Sequence, residues 1–145
     1  MDKYLIVFAL LMLSCLFWAF WESAAEGPYG GGRKFYGFRL KIKGMTITSR
    51  YHFFVILAMI PTFLMAIWVA SSFDLRMGRV LIGSFPMMIV FEDFLWFVVI
   101  PFYGYKNFLP QKAKWTLGPW VIFGPIHFPV FYLPALMLGF AILFV

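Results

Sequence analysis

Charge is scarce in this chain, and acidic charge is scarcest. Of 145 residues, 12 are Lys or Arg and 6 are Asp or Glu, while 63% are apolar and 23% aromatic. A soluble domain carries about 25% charged and about 45–50% apolar residues, so a water-soluble fold of this length could not hide so much apolar surface. Histidine is confined to His52 and His127, and cysteine to Cys15. A single cysteine excludes an internal disulfide and any multi-cysteine zinc site. No two histidines stand four residues apart, which excludes a multi-histidine di-iron set. Gly30-Gly31-Gly32 lacks the strand–turn–helix setting and the Lys-Ser pair of a phosphate loop. No Ser-His-Asp set and no internal repeat stands out. No basic strip interleaved with aromatics marks a nucleic-acid partner.

What the chain has instead is long apolar runs. About 20 apolar residues cross the hydrocarbon core of a bilayer, and four runs qualify, over about 4–21, 53–71, 80–100 and 119–145. The expected fold is all-α: a single domain, 1–145, forming a four-helix transmembrane bundle with a basic first loop over 22–50. Met12-Leu13-Ser14-Cys15 is similar to a lipoprotein cleavage box, but apolar sequence continues past it, so the segment reads as a retained helix.

Four spans put both termini on one side. Arg33, Lys34, Arg39, Lys41, Lys43, Arg50, Lys106, Lys112 and Lys114 lie on the other side, against Lys3, Arg76 and Arg79 on the terminal side. The positive-inside rule then places the basic loops in the cytoplasm and the termini outside. Trp18, Trp21, Tyr51, Tyr103, Tyr105 and Trp115 fall at the basic-side boundary, where an aromatic belt belongs. The net charge of +6 therefore reads as topology and lipid-headgroup contact. The lipid bilayer is the first partner.

Within the first loop, Gly27 to Arg33 is turn-rich, and Phe38 to Lys43 alternates apolar and basic residues before Gly44 and Met45 to Thr48. That pattern predicts a short hairpin on the membrane surface, Lys outward and Leu40 and Ile42 inward. Pro61 and Pro86 fall inside the second and third runs, Pro86 freeing the carbonyl of Ile82 and predicting a kink. The fourth run holds Pro119, Pro125, Pro129 and Pro134 with Gly118 and Gly124, and its first part, Gly118 to Pro125, is expected to be non-helical. Such backbone is tolerated at membrane depth where protein covers it or where it lines a wet cavity.

Two adjacent carboxylates, Glu92 and Asp93, sit inside the third run. Each costs roughly 2.5–3.5 kcal/mol at the centre of a membrane helix, and an intramembrane acid marks a functional site by default. Glu92 lies eight residues before Ile100, about 12 Å from the basic-side end at about 1.5 Å per residue. His52 begins the second span at that side and His127 is early in the fourth, with Glu22 and Glu26 at the boundary. Two imidazoles and one or two carboxylates from three helices suit a divalent transition metal such as Zn, Cu, Fe or Ni. The candidate ligands are His52, Glu92, Asp93 and His127. Glu92 and Asp93 are also the candidate catalytic groups, as ligand or general base, with a histidine as ligand or proton shuttle.

A structural or proton-linked reading stands beside the metal one. Glu92 or Asp93 then accepts hydrogen bonds from Tyr, Trp or His on another helix, or pairs with a loop cation. One of the two holds a proton, since desolvation and a like neighbour both disfavour a second charge. Neighbouring helix positions differ by about 100°, so the two acids need not share a ligand. Each histidine alone reads first as an interfacial side chain, with bis-histidine haem ligation by His52 and His127 as a further alternative. Trp96 and Met87-Met88 read as packing.

At Glu26 to Gly30, Tyr51-His52, Glu92-Asp93-Phe94-Leu95-Trp96-Phe97, Pro101 to Gly104, Phe108 and Trp115, the chain resembles a family of small four-helix prokaryotic integral membrane proteins whose activity is uncharacterised. The Glu-Asp-Phe-Leu-Trp-Phe string is the most specific part. The family pattern has a Trp-His pair after the third helix, whereas Thr116 follows Trp115 here. The resemblance implies four spans in a prokaryotic cell membrane and points at the same polar residues.

Three functions are compatible with these observations. The foremost is an accessory subunit of a larger membrane complex, with other membrane subunits or further copies of itself as partners. The others are a membrane-embedded metal protein or enzyme acting on a lipid or other apolar substrate, and a proton- or cation-coupled carrier.

Overall fold

The computed structural model describes residues 2–26, 39–42, 45–49, 52–100, 104–113 and 119–144. The protein is mostly helical. Helix α1 is Lys3–Glu26, followed by strands β1 (Arg39–Ile42) and β2 (Met45–Ser49). A π-helical stretch, Phe53–Met59, runs into α2 (Ile60–Ala70), and a tight turn leads to α3 (Leu75–Val99). After a 3₁₀ turn at Tyr105–Asn107 come strands β3 (Trp120–Phe123) and β4 (Ile126–Pro129), and then α4 (Tyr132–Phe144). Three helical segments are long and apolar enough to cross a membrane: Lys3–Ala24, Phe53–Ala70 and Leu75–Val99.

The third span starts at Leu75, ahead of the expected residue 80, so that Arg76 and Arg79 are helical. Two further boundaries differ from the sequence expectation, each with a consequence for the site. The first span ends beyond residue 21, because α1 continues to Glu26 and carries Glu22 inside the helix, not in a loop. The fourth span is not helical throughout. Its first half is an antiparallel hairpin, with Trp120 opposite Pro129 and Phe123 opposite Ile126. Gly124 turns it with φ +58, a conformation that glycine supplies at the first turn position, and Pro125 follows. Val130 N–H donates to the Pro119 carbonyl at 2.9 Å and closes the base. Prolines 125 and 129 remove the amide donors that a helix would need here. Pro134 is tolerated because it falls in the first turn of α4, where amides have no helical partner. The remaining helix has 13 residues, about 20 Å long, against about 30 Å of hydrocarbon.

The expected hairpin in the first loop is present, with Arg39 opposite Ser49 and a register shift between Leu40 and Lys41. The side chains of β1, β2 and Glu26 lie outside the described residues. So do Arg33, Lys34, Lys43, Arg50, Tyr51, Tyr103, Lys114 and Trp115.

The prolines of the long helices act locally. Before Pro61 the backbone widens to π geometry, and Ile60 N–H reaches back to the Val55 carbonyl. The wider turn gives room to a ring that would otherwise collide with a carbonyl one turn earlier. α3 runs on through Pro86 without a break.

The turn from α2 to α3 carries Ser72 and Phe73 at φ 56 and 57, the left-handed region that side chains disfavour. Trp68 holds it: its indole N–H donates to the Asp74 carbonyl at 3.0 Å, and its ring meets Phe73 edge-on at 5.5 Å.

Asp74 then ties this end of the molecule together. One carboxylate oxygen caps α3 by accepting from Arg76 N–H at 2.9 Å and Met77 N–H at 3.3 Å. The other accepts from the Tyr4 hydroxyl at 2.7 Å and Lys3 Nζ at 3.0 Å. These place the starts of α1 and α3 side by side, so the two helices run parallel. The Tyr4 hydroxyl first, and Lys3 second, hold the Asp74 carboxyl well below the usual carboxylate range. Because its pKa is depressed on folding, from an unfolded value near 3.9, the stabilisation is complete above about pH 5 and is lost as pH falls through the folded value. Thermal stability of the protein in detergent should therefore be flat from neutral pH to about pH 5 at this site and fall on further acidification. The fall should be shallower in Asp74→Asn, and an identical acid limb in that variant would contradict the assignment.

Two buried clusters form the core. One, at the α1–α2–α3 contact, holds Cys15, Val55, Ile60, Leu64, Met77, Leu81 and Met88. The other is aromatic and wraps the end of α3: Phe97, Phe108 and Tyr132 are buried, with Trp120 and Phe128 of the hairpin packed against them. α4 runs antiparallel to α3, since Tyr132 meets Asp93 and Gly139 meets Gly83. At that crossing the backbones touch: a Cβ on Gly139 would stand 2.5 Å from Met87 Cγ and 2.7 Å from the Gly83 carbonyl oxygen.

Candidate functional site

Among the described residues of α1 the buried ones are Cys15, Ala19 and Glu22. The spacing i, i+4, i+7 puts them on one stripe, and the small side chains of Cys15 and Ala19, both fully buried, let α1 lie close against α3. Cys15 Sγ reaches the Met88 carbonyl at 3.7 Å. Glu22 is the next residue of that stripe, so the packing that admits two small residues also drives a carboxylate inward.

Glu22 is the centre of the site. Its Oε1 accepts from His52 Nε2 at 2.9 Å, with 4% of the Glu22 side chain exposed and 30% of the His52 side chain. On its other side the Glu22 carboxyl is in hydrogen-bonding reach of Glu92, which is itself 7% exposed. Imidazole and two carboxyls thus form a chain from a part-exposed ring to a buried acid, contributed by α1, the start of the π-helical stretch and α3. A hydrogen bond between two carboxyl groups requires a proton on one of them, since two facing carboxylates only repel.

Asp93 turns away from Glu92, as the 100° step per residue demands. It faces α4, where the Tyr132 hydroxyl donates to its Oδ2 at 2.5 Å.

The sequence-predicted residues therefore separate. His52 and Glu92 come together through Glu22, whereas Asp93 belongs to Tyr132. His127 stands on β4, and its ring contacts are with Phe108 at 6.2 Å and Trp120 at 6.3 Å. Among the described residues no three His, Cys, Asp or Glu side chains converge in a way that would hold a metal ion. The expected set of His52, Glu92, Asp93 and His127 is divided by the divergence of Glu92 and Asp93 and by the aromatic packing of His127.

Sequence reasoning set Glu22 at the margin and missed Tyr132. The signal for Glu22 was its spacing from Cys15 and Ala19. Tyr132 had a weaker one, its seven-residue spacing from Gly139, because both lie on the α4 face that packs against α3.

The site lies toward one end of the long helices. Glu92 stands seven residues before Val99, about 10 Å from that end of α3. Toward the other end the interior is apolar through Met88, Leu81 and Met77. Its polar exceptions are Ser84 and Cys15, which donate to the Val80 and Leu11 carbonyls of their own helices. The chain matches no protein-family model, no curated protein and no solved structure.

Proposed function

We propose that this is a multi-pass membrane protein whose Glu22–His52–Glu92 chain takes up and releases a proton from one face, and that it serves as an accessory subunit of a larger membrane assembly. The observation that carries the reading is the contact of two buried carboxyls, one of which also accepts from a part-exposed imidazole. His52 is the group that trades protons with water, because imidazole changes charge near neutral pH. Glu22 and Glu92 share the proton that their contact needs, and Tyr132 holds the Asp93 carboxyl apart from it.

The positive-inside rule assigns the open face to the cytoplasm and the two termini to the other side. In this reading the short α4 packs along α3 and crosses only part of the slab. The polar chain ends halfway across, so one copy carries nothing through the membrane by itself. That one-sidedness supports a subunit role over a self-sufficient carrier.

Infrared difference spectroscopy of the full chain in liposomes tests the proton. A carboxylic-acid C=O band exchangeable in D2O is expected at neutral pH. Its frequency should shift in both Glu22→Gln and Glu92→Gln, because either change replaces the carboxyl partner of the protonated group, and the band should be lost when both are replaced. A band unmoved by either single substitution refutes the shared proton. Migration of the native detergent extract as a lone monomer refutes the subunit role.

A further inference from the structure

The end of the molecule away from the carboxyls carries three cations. Lys3 is bonded to Asp74 at 3.0 Å and Arg76 to Asp2 at 2.9 Å. Arg79 is exposed and makes no ion pair among the described residues. It lies four residues inside a helix long enough to cross a membrane. A guanidinium at that depth needs an anion, or a path to the headgroup layer.

Directly beside it is an apolar groove of about 230 Å³ between α2 and α3. Its walls are Pro61, Leu64 and Trp68 on α2 and Gly78, Ile82 and Phe85 on α3. Ile82 is three residues from Arg79, hence its neighbour on the helix surface. Gly78 lets the Trp68 indole pack onto α3 at one end of the groove, where a Cβ would stand 3.0 Å from the ring. From Trp68 to Pro61 it extends seven residues along the helix, roughly 10 Å.

We propose that this groove seats an acyl chain of an anionic phospholipid whose phosphate is held by Arg79. The inference rests on the reading that these helices cross a membrane. The occupant follows from complementarity. The groove is apolar along its length, and Arg79, unpaired among the described residues, lies one helical turn from Ile82 on its wall, which fits a molecule with an apolar chain and an anionic head. Guanidinium and phosphate match in geometry, two N–H groups to two oxygens.

The experiment is native mass spectrometry of the full chain in mild detergent, titrated with dioleoylphosphatidylglycerol, with dioleoylphosphatidylcholine and with inorganic phosphate. The anionic lipid should be retained about fivefold over the zwitterionic one, the advantage of one basic residue near an anionic surface. Arg79→Gln, an exposed and unpaired position, should abolish that preference. Ile82→Trp should fill the groove and lower retention of both lipids. Equal retention of the two lipids, an unchanged preference in Arg79→Gln, or displacement of the lipid by inorganic phosphate each overturns the site. So does a preference that is present only in a dimeric species, because a second copy would then be the occupant. Alkaline carbonate extraction of native membranes separates the two failures. Release of the protein sinks the membrane reading itself, whereas retention without lipid preference sinks only this site.

Discussion

Glu22→Leu is expected to be the most damaging single substitution at the polar site, lowering stability by about 3–5 kcal/mol, the usual cost of removing one partner from a buried ionic pair. The change leaves the His52 imidazole facing an alkyl group and deprives Glu92 of the carboxyl in its reach. Thermal unfolding of the full chain in detergent measures the loss. Glu92→Leu should also destabilise the protein, and by more than Lys106→Ala, whose side chain is exposed. The informative comparison is the triple variant Glu22→Leu, His52→Phe, Glu92→Leu. If the cluster is kept for its chemistry, an apolar replacement of all three should recover most of the stability while abolishing the exchangeable carboxyl band. A Glu22→Leu variant that melts with the parent would mean that the carboxylate contributes nothing to holding α1 against α3, and the site as described would fail.

The second large effect belongs to Gly139. Gly139→Leu is expected to separate α4 from α3, because the space is closed by a backbone carbonyl as well as a side chain. Met87 can swing aside; the Gly83 carbonyl cannot move without the helix. Overpacking in a core costs typically about 1–3 kcal/mol, and an obstructing backbone puts this substitution at or beyond the upper end. Gly139→Ala should already destabilise, since the clash begins at Cβ. The displacement should also reach the site. Tyr132 lies seven residues, or two turns, away on the same face of α4, so its hydroxyl should lose Asp93. Thermal unfolding, together with the ultraviolet absorbance of the buried tyrosine, reports both effects. A Gly139→Leu variant with parental stability would show that the α3–α4 crossing is not a close backbone contact.

Much of this was legible residue by residue. Low charge and long apolar runs already located three of the membrane-length helices, and the alternation of Phe38 to Lys43 located the first hairpin. The density of prolines between 119 and 134 marked the fourth run as irregular, although not as a β-hairpin turned at Gly124-Pro125. An intramembrane acid pair marked the site, because such groups are costly and therefore noticeable. The site's actual composition was less legible. Glu22 looked like a boundary residue because the apolar run stops before it. The helix continues regardless of that change in polarity, since helical backbone bonds do not depend on hydropathy. Asp93 and His127 looked like companions of Glu92 because they share its depth; depth along the helix axis carries no information about azimuth.

The spacing of apolar runs determined which segments become long helices, and the prolines determined where the fourth run departs from one. These follow from properties local in sequence: hydropathy, backbone geometry, the missing amide of proline. Which partner each polar group meets was decided only by tertiary packing. Cys15 and Ala19 draw α1 onto α3 and bring Glu22 between His52 and Glu92, and Gly139 draws α4 onto α3 and brings Tyr132 to Asp93. The approach of two helices is set by the smallest side chains between them, and that is a property of pairs of surfaces, not of any one segment.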